Sequence, residues 1–459
     1  MRPRDILMHL KCRDPTNVSS MKTIYNARLK MRVLQTCGRT HMQQLMKLIY
    51  DHGYIERHRV QENAEVVSEI FFAHPKSIQL VHAFPLVFMM DCTYKTNQYR
   101  MPLLEIVGVT STGKTFVAAL VYLRAEKEDN YAWAMECFKS LFDGIPFPKV
   151  IITDHELGLM KAVSMVFPST VCLLCRVHIA KNVLKNCRKA FSDLETWDKF
   201  NGAWFGVMRA LTEEEFCRKL QLLEDEFRAF PNELSYLHKT WVVKHRERFV
   251  SAWIDKHLHL GNTSTNRVEG HHAKLKRQLQ TSIGNFVSSW QTIHNLLELQ
   301  ISDIRASFEE SLTRIPHRYR GFLYRELVGV VSIYALQKIQ TESYVADGIG
   351  PDSSLCNHVL YTTCGLPCAH MIGKYKQEGC AIPVAAIHPF WRKLGMTSFI
   401  EDFTDEVDIG PEIEMLLKRF NHGSIAQQKE MKICLKKLSD PTSTILLEPT
   451  VRKVDGKEQ

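Results

Sequence analysis

The chain has 459 residues, 45% hydrophobic and 24% charged, which excludes a disordered polyelectrolyte and suits two to four globular units. Its net charge of +9 is gathered at one end, where residues 1–60 hold 12 Lys and Arg against 4 acids, so a polyanion such as DNA is the expected partner there, against the plainer reading of a solvated basic face. No apolar run reaches the ~18 residues of a membrane span, no secretory leader is expected, and 13 cysteines read as reduced thiols or metal ligands rather than disulfides.

Residues 1–80 read as a basic, helical unit. Arg4–Lys11 forms one helix, a second runs through Ile24, Tyr25, Ala27 and Leu29, and Thr40 caps a third. Arg28, Lys30 and Arg32 make the second helix basic, as in a helix-turn-helix DNA reader, although many three-helix units bind nothing. Residues 84–190 change character. Leu86–Cys92, Leu103–Thr110 and Phe116–Leu123 are apolar, β-branched runs separated by turn residues, so they read as antiparallel strands. Helical spacing over Asn130–Phe142, a strand at Val150–Thr153, a helix at Glu156–Phe167, a strand at Thr170–Leu174 and a helix from about Val177 follow. The class is α/β: three antiparallel strands, then α/β units. Residues 191–260 are helical and charged, with Trp197, Phe200, Trp204 and Phe205 expected in a core. Residues 261–345 are helical, 350–390 are Cys/His-rich, and 391–459 form a tail expected to be disordered from about Asp440.

The chemistry sits in four places. Asp91 ends the first apolar strand and Asp154 the fourth. If those strands are neighbours, both carboxylates leave one edge of the sheet. With a third carboxylate from a helix they suit two divalent ions about 3.5–4 Å apart. Glu269, in Asn266-Arg-Val-Glu269-Gly-His-His272, is the candidate, and Lys274, Lys276 and Arg277 beyond it are candidate DNA contacts. Gly108-Val-Thr-Ser-Thr-Gly113-Lys114-Thr115 fits the P-loop pattern letter for letter. A P-loop needs a helix to begin at the Lys-Thr, whereas Thr115–Leu123 reads as a strand, so a hairpin and no nucleotide cofactor are expected. Cys172-x-x-Cys175-x-x-His178 reads either as metal ligation or, preferred, as a core Cys172 with Cys175 and His178 at the site edge. Cys356-x-His358 and Cys368-x-His370 supply four tetrahedral ligands for Zn2+, with Cys364, Cys380 and His388 as spare donors.

Taken together, Asp91-Cys-Thr-Tyr-Lys-Thr-Asn, Ile152-Thr-Asp154-His-Glu-Leu-Gly, Leu174-Cys175-Arg-Val-His178-Ile-Ala-Lys-Asn and Thr265-Asn-Arg-Val-Glu269-Gly-His-His resemble Mutator-like element (MULE) transposases, of the RNase H-like integrase superfamily. Leu366-Pro-Cys368-Ala-His370 resembles a SWIM zinc finger. The resemblance implies an RNase H-like mixed sheet, a large helical insertion before Glu269 and a small C-terminal zinc module, beside the helical N-terminal unit read above. It implies Asp91, Asp154 and Glu269 as the catalytic triad and Cys175 and His178 as the family's Cys-x-x-His element. It implies cleavage with Mg2+ (or Mn2+) at element ends, then attack of a 3′-hydroxyl on target DNA. Terminal inverted repeats and target DNA are the implied partners; a homodimer is expected because two ends must be held together, and a nuclear location follows from work on DNA. The chain departs from the family at Val177, where a tryptophan often stands, and at His358, where a cysteine is usual. The similarity extends to far-red-impaired-response-like plant transcription factors derived from the same transposases, so a domesticated DNA-binding regulator is the alternative.

Overall fold

A computed structural model describes residues 3–36, 38–62, 64–279, 284–396, 408–440 and 444–451. Seven strands make one mixed sheet: β1 (Ile55–Val60), β2 (Val67–Ala73), β3 (Val87–Thr93), β4 (Leu103–Val109), β5 (Thr115–Tyr122), β6 (Val150–Thr153) and β7 (Val171–Leu174). Their order is β1-β2-β5-β4-β3-β6-β7. β3, β4 and β5 are antiparallel, while β6 runs parallel to β3 and β7 parallel to β6. All of β4, and all of β5 after its first residue, is buried. Near-continuous apolar strands of this kind need cover on both faces. Helices α4 (Pro75–Ala83), α5 (Glu128–Lys139) and α6 (Leu157–Val166) supply part of it. The rest comes from the helix at Asn266–Leu279, which carries Glu269 and is named the glutamate helix, and from a long helix at Phe286–Thr313.

The hairpin joining β4 to β5 sits where the P-loop pattern lies. Gly113 N donates to Thr110 O, Thr110 N donates to Lys114 O, and Thr115 opens a strand rather than a helix. Gly113 has φ +73°, and a Cβ there would stand 2.8 Å from the Tyr334 ring, so both backbone and space demand glycine.

The N-terminal segment differs from its helical expectation. Helices α1 (Pro3–Arg13), α2 (Met21–Thr36) and α3 (His41–Asp51) are present, and Thr40 caps α3 with a full capping box. Beyond them β1 and β2 extend the sheet at the β5 edge, so residues 1–80 are not helical throughout. In β2 the run Val67-Ser-Glu-Ile-Phe-Phe-Ala73 is buried on every residue, which hides the alternation that marks a half-buried strand. Helix α3 is part of the main body: Met42, Leu45, Met46 and Ile49 are in the sheet's core. Helix α1 buries no residue.

After β7 come α7 (Arg176–Cys187), α8 (Leu194–Met208) and α9 (Glu213–Glu226), then short helical turns to Ile254. This insertion has its own core. Trp197, Phe200 and Trp204 lie in it together with Leu174, Ile179 and Val183. Phe205 remains half-buried. The tail before Asp440 is helical. Helices occupy Gly410–His422 and Ile425–Ser439. Past Asp440, Leu447 bridges to Val66, with Leu447 N donating to Glu65 O and Val67 N to Leu447 O. The rest of the expected disordered end, 441–443 and 452–459, is outside the described residues.

Candidate functional site

The β3–β6 register decides where the aspartates go. Met89 is opposite Ile152, so two residues on, Asp91 and Asp154 leave the sheet side by side at the same edge. On its other flank, Asp91 is directly opposite Glu105 of β4. The glutamate helix packs across β3 and β4 and brings Glu269 to this edge. Three carboxylates from distant parts of the chain thus share one electrostatic neighbourhood. Burial first, then the Asp154 charge, pushes the Asp91 carboxyl up to about 7; Glu269 adds to the rise and His178 opposes it. Asp154 is raised as well, by burial first, against the pull of His178. Cys92 N, at 3.0 Å, donates a backbone hydrogen bond to Asp91 Oδ1.

Glu269 is held by two side chains of α7. Lys181 Nζ lies 2.9 Å from its Oε1 and His178 Nε2 lies 3.3 Å from the same oxygen. The start of α7 is in turn knotted to the start of the glutamate helix. Thr265 N and Oγ1 donate to Cys175 Sγ at 3.2 and 3.3 Å, and Thr265 Oγ1 is 3.3 Å from His178 Nδ1. Burial raises the Cys175 thiol, but hydrogen bonds with His178 and Thr265 outweigh it and the net shift is downward. His178 is raised, by its bond to Cys175 first and further by Asp91 and Asp154. Cys172 is on β7, buried beside Thr153, apart from that knot.

Sequence reasoning missed a second layer. Glu105 is fully buried, His271 Nδ1 is 2.6 Å from its Oε2, and His272 spans from Asp91 to Glu105 at 3.8 Å each. Glu105 Oε1 and His272 Nε2 have no hydrogen-bond partner among the described residues. The available signal was a lone acid inside Leu103-Leu-Glu-Ile-Val, since an unpaired carboxylate almost never enters a buried strand. Lys274, Lys276 and Arg277 are exposed on the glutamate helix, and Arg28 and Lys30 are exposed on α2. The Arg32 side chain falls outside the described residues.

Elsewhere the donor atoms of Cys356, His358, Cys368 and His370 lie within 4.8 Å of one another, the one such group among the described residues. Cys368 Sγ is 3.1 Å from His370 Nδ1 and 3.6 Å from His358 Nδ1. A tetrahedral zinc with Zn–S of ~2.3 Å and Zn–N of ~2.0–2.1 Å separates its ligands by roughly 3.3–3.8 Å. The donor set fits that ion in type and number, and its two printed side-chain separations lie near that spacing. His358 has φ +56°, a strained conformation for a residue with a Cβ. Cys368 and His370 open a helix at Ala369–Gln377, whose Ala369 and Ile372 are anchored in the main core. Burial first, then Cys356, pushes the Cys368 thiol up to about 11, and burial lowers His370. A divalent cation between them favours the thiolate. Cys364 is buried, and its carbonyl accepts from Trp391 Nε1.

No described helix is long and apolar enough to cross a membrane. The model of the MULE transposase domain family matches residues 87–182. Over 410 residues the chain is 21% identical to Protein FAR1-RELATED SEQUENCE 11 of Arabidopsis thaliana, covering 83% of this chain and 59% of that one. Protein FAR1-RELATED SEQUENCE 5 of the same plant is 26% identical over 220 residues, 44% of this chain and 27% of the relative. A PKS-NRPS hybrid synthetase of Chaetomium globosum is 25% identical over 419 residues, 82% of this chain but 9% of that protein. The chain therefore spans less than two thirds of each of these relatives.

Proposed function

We propose that the chain, whose residues 87–182 match the MULE transposase domain family, cuts and joins DNA with Asp91, Asp154 and Glu269, on an RNase H-like sheet. One observation carries the reading. The parallel register of β3 and β6 aligns two half-buried aspartates at one edge, and their mutual repulsion helps lift Asp91 to about 7. Strained like charges of this kind collect at functional sites. All three donors are carboxylate oxygens, the ligand type of Mg2+ or Mn2+. When bound, such an ion would activate the attacking hydroxyl and stabilise the leaving 3′-oxygen. The chain's own residues do the rest. His178 and Lys181 orient Glu269, and the Cys175–Thr265–His178 knot fixes α7 against the glutamate helix. Lys274, Lys276 and Arg277 offer positive charge to the phosphate backbone. Cys356, His358, Cys368 and His370 hold Zn2+ as a structural clasp. Terminal repeats and target DNA are the partners, the chain acts as a homodimer because two ends must be held, and it works in the nucleus.

A second reading is supported by the FAR1-related relatives: a domesticated DNA-binding regulator that keeps the fold. Purified protein with DNA carrying element ends separates them. Asp154→Asn should lower Mg2+-dependent cleavage by about 10³-fold or more, since metal-assisted stabilisation is worth several kcal/mol, while DNA retention is unchanged. Undiminished cleavage would sink the triad. Specific binding without cleavage by the unaltered protein favours the regulator.

A further inference from the structure

Between α7 and α8, next to Glu269, lies a cleft of about 480 Å³. Two helix faces build it. Helix α7 presents small Val177 and Ala180, while α8 presents Trp197, Asn201 and Phe205 one turn apart. Small side chains facing large flat ones leave the gap. Its cations are Arg176, Lys181 and Arg209, and its lining contains no carboxylate among the described residues. Arg176 is pinned at the inner end by Phe249 O at 2.7 Å, Met208 O at 3.1 Å and Ser251 Oγ at 2.8 Å. Arg209 lies over the Phe205 ring at 5.8 Å. Lys181 both lines the cleft and reaches Glu269, so the cleft is continuous with the carboxylate edge.

We propose that this cleft takes one unstacked nucleobase of the DNA strand whose phosphodiester lies at the carboxylates; this rests on the DNA-cutting reading above. The occupant follows from the chemistry. A base is flat and apolar on its faces, which suits the Trp197 and Phe205 wall opposite Val177. Its edge carries donors and acceptors, and the half-buried Asn201 amide has both. Its flanking phosphates are anionic, which suits Lys181 and Arg209 at the rim. The volume lies in the range of small-ligand sites. Enzymes that reach into a duplex commonly lodge a displaced base in such a pocket.

The test measures affinity of the full chain, in calcium buffer, for a short labelled single-stranded oligodeoxynucleotide and for the same strand built from abasic units. The unaltered protein should prefer the base-bearing strand by roughly 5- to 100-fold, the range of one base on an aromatic wall. Val177→Trp fills the cleft and should bring that ratio near one, leaving affinity for the abasic strand as it was. Phe205→Leu, which keeps the helix and its apolar contact, should lower the ratio part of the way and guards against a misfolded tryptophan variant. A ratio kept in both variants overturns the proposal while leaving the DNA-cutting reading intact. Failure of the unaltered protein to bind either strand overturns both. If the variants instead abolish a dimer seen by sedimentation, with the base preference unchanged, the cleft is a subunit contact and the proposal falls.

Discussion

The two candidate centres of this chain are built in opposite ways. The Cys/His group draws all four donors from one short segment, Cys356 to His370, and its atoms converge within 4.8 Å. The carboxylates come from β3, the end of β6 and a helix far along the chain, and only sheet register and helix docking bring them into one electrostatic neighbourhood. The first centre is a local clasp whose geometry is tight before any ion is considered. The second is a strained cluster of like charges that the fold holds together against repulsion. A clasp should add stability when it binds metal, and a strained cluster should cost stability until it does.

The strongest way to break this contrast is at the clasp. Cys368→Ser should remove one equivalent of zinc by elemental analysis and lower stability by more than about 4 kcal/mol, as losses of a structural metal do. Retained zinc would show that the four residues are not the ligand set. At the carboxylates the sign should reverse. Asp91 is held near 7 against an ordinary value of 3.8, so its protonated form is favoured by the fold. Stability from that group is fully present below about pH 4 and is lost as pH rises through 7. Metal-free Asp91→Asn should therefore be more stable than the unaltered chain at pH 8, by on the order of 2 to 4 kcal/mol at ~1.36 kcal/mol per pH unit. The gain should vanish near pH 4 in the same denaturant titrations. Lower stability of the variant at pH 8 would remove the strain argument.

His271→Ala sharpens the picture one layer out. It strips the hydrogen bond from fully buried Glu105 and should cost about 1 to 3 kcal/mol. The double change His271→Ala with Glu105→Leu should recover part of that loss, as a double-mutant cycle would register. The smallest effect belongs to Lys181→Ala. Its link to Glu269 is exposed, with the lysine side chain 55% accessible, so stability should move by less than about 1 kcal/mol. A large destabilisation there would mean that the contact supports the fold rather than Glu269.

Much of the site is legible in the order of residues alone. The succession of strands after residue 84 follows from apolar runs punctuated by turns, and the P-loop look-alike resolves into a hairpin because Thr115 begins a β-branched run. The Cys/His pairs declare themselves by spacing. Three parts are not legible. β1 and β2 escape because β1 is exposed and charged, while β2 is buried on every residue, and neither alternates. Glu105 shows only as a lone acid in an apolar run, and its pairing with His271 and His272 escapes because those partners lie on another element. The Leu447 bridge escapes because a lone paired residue leaves no period in the sequence.

By itself, then, the sequence determined the kinds of element in residues 84–190, the residue types available for chemistry and the spacing of the Cys/His pairs, since each depends on neighbours a few positions apart. The tertiary structure alone decided that Asp91 stands between Asp154 and Glu105, that α7 holds Glu269 through His178 and Lys181, and that a cleft opens between α7 and α8. Those facts depend on strand register and helix docking. Both are set by burying whole faces at once, so no stretch of sequence read alone contains them.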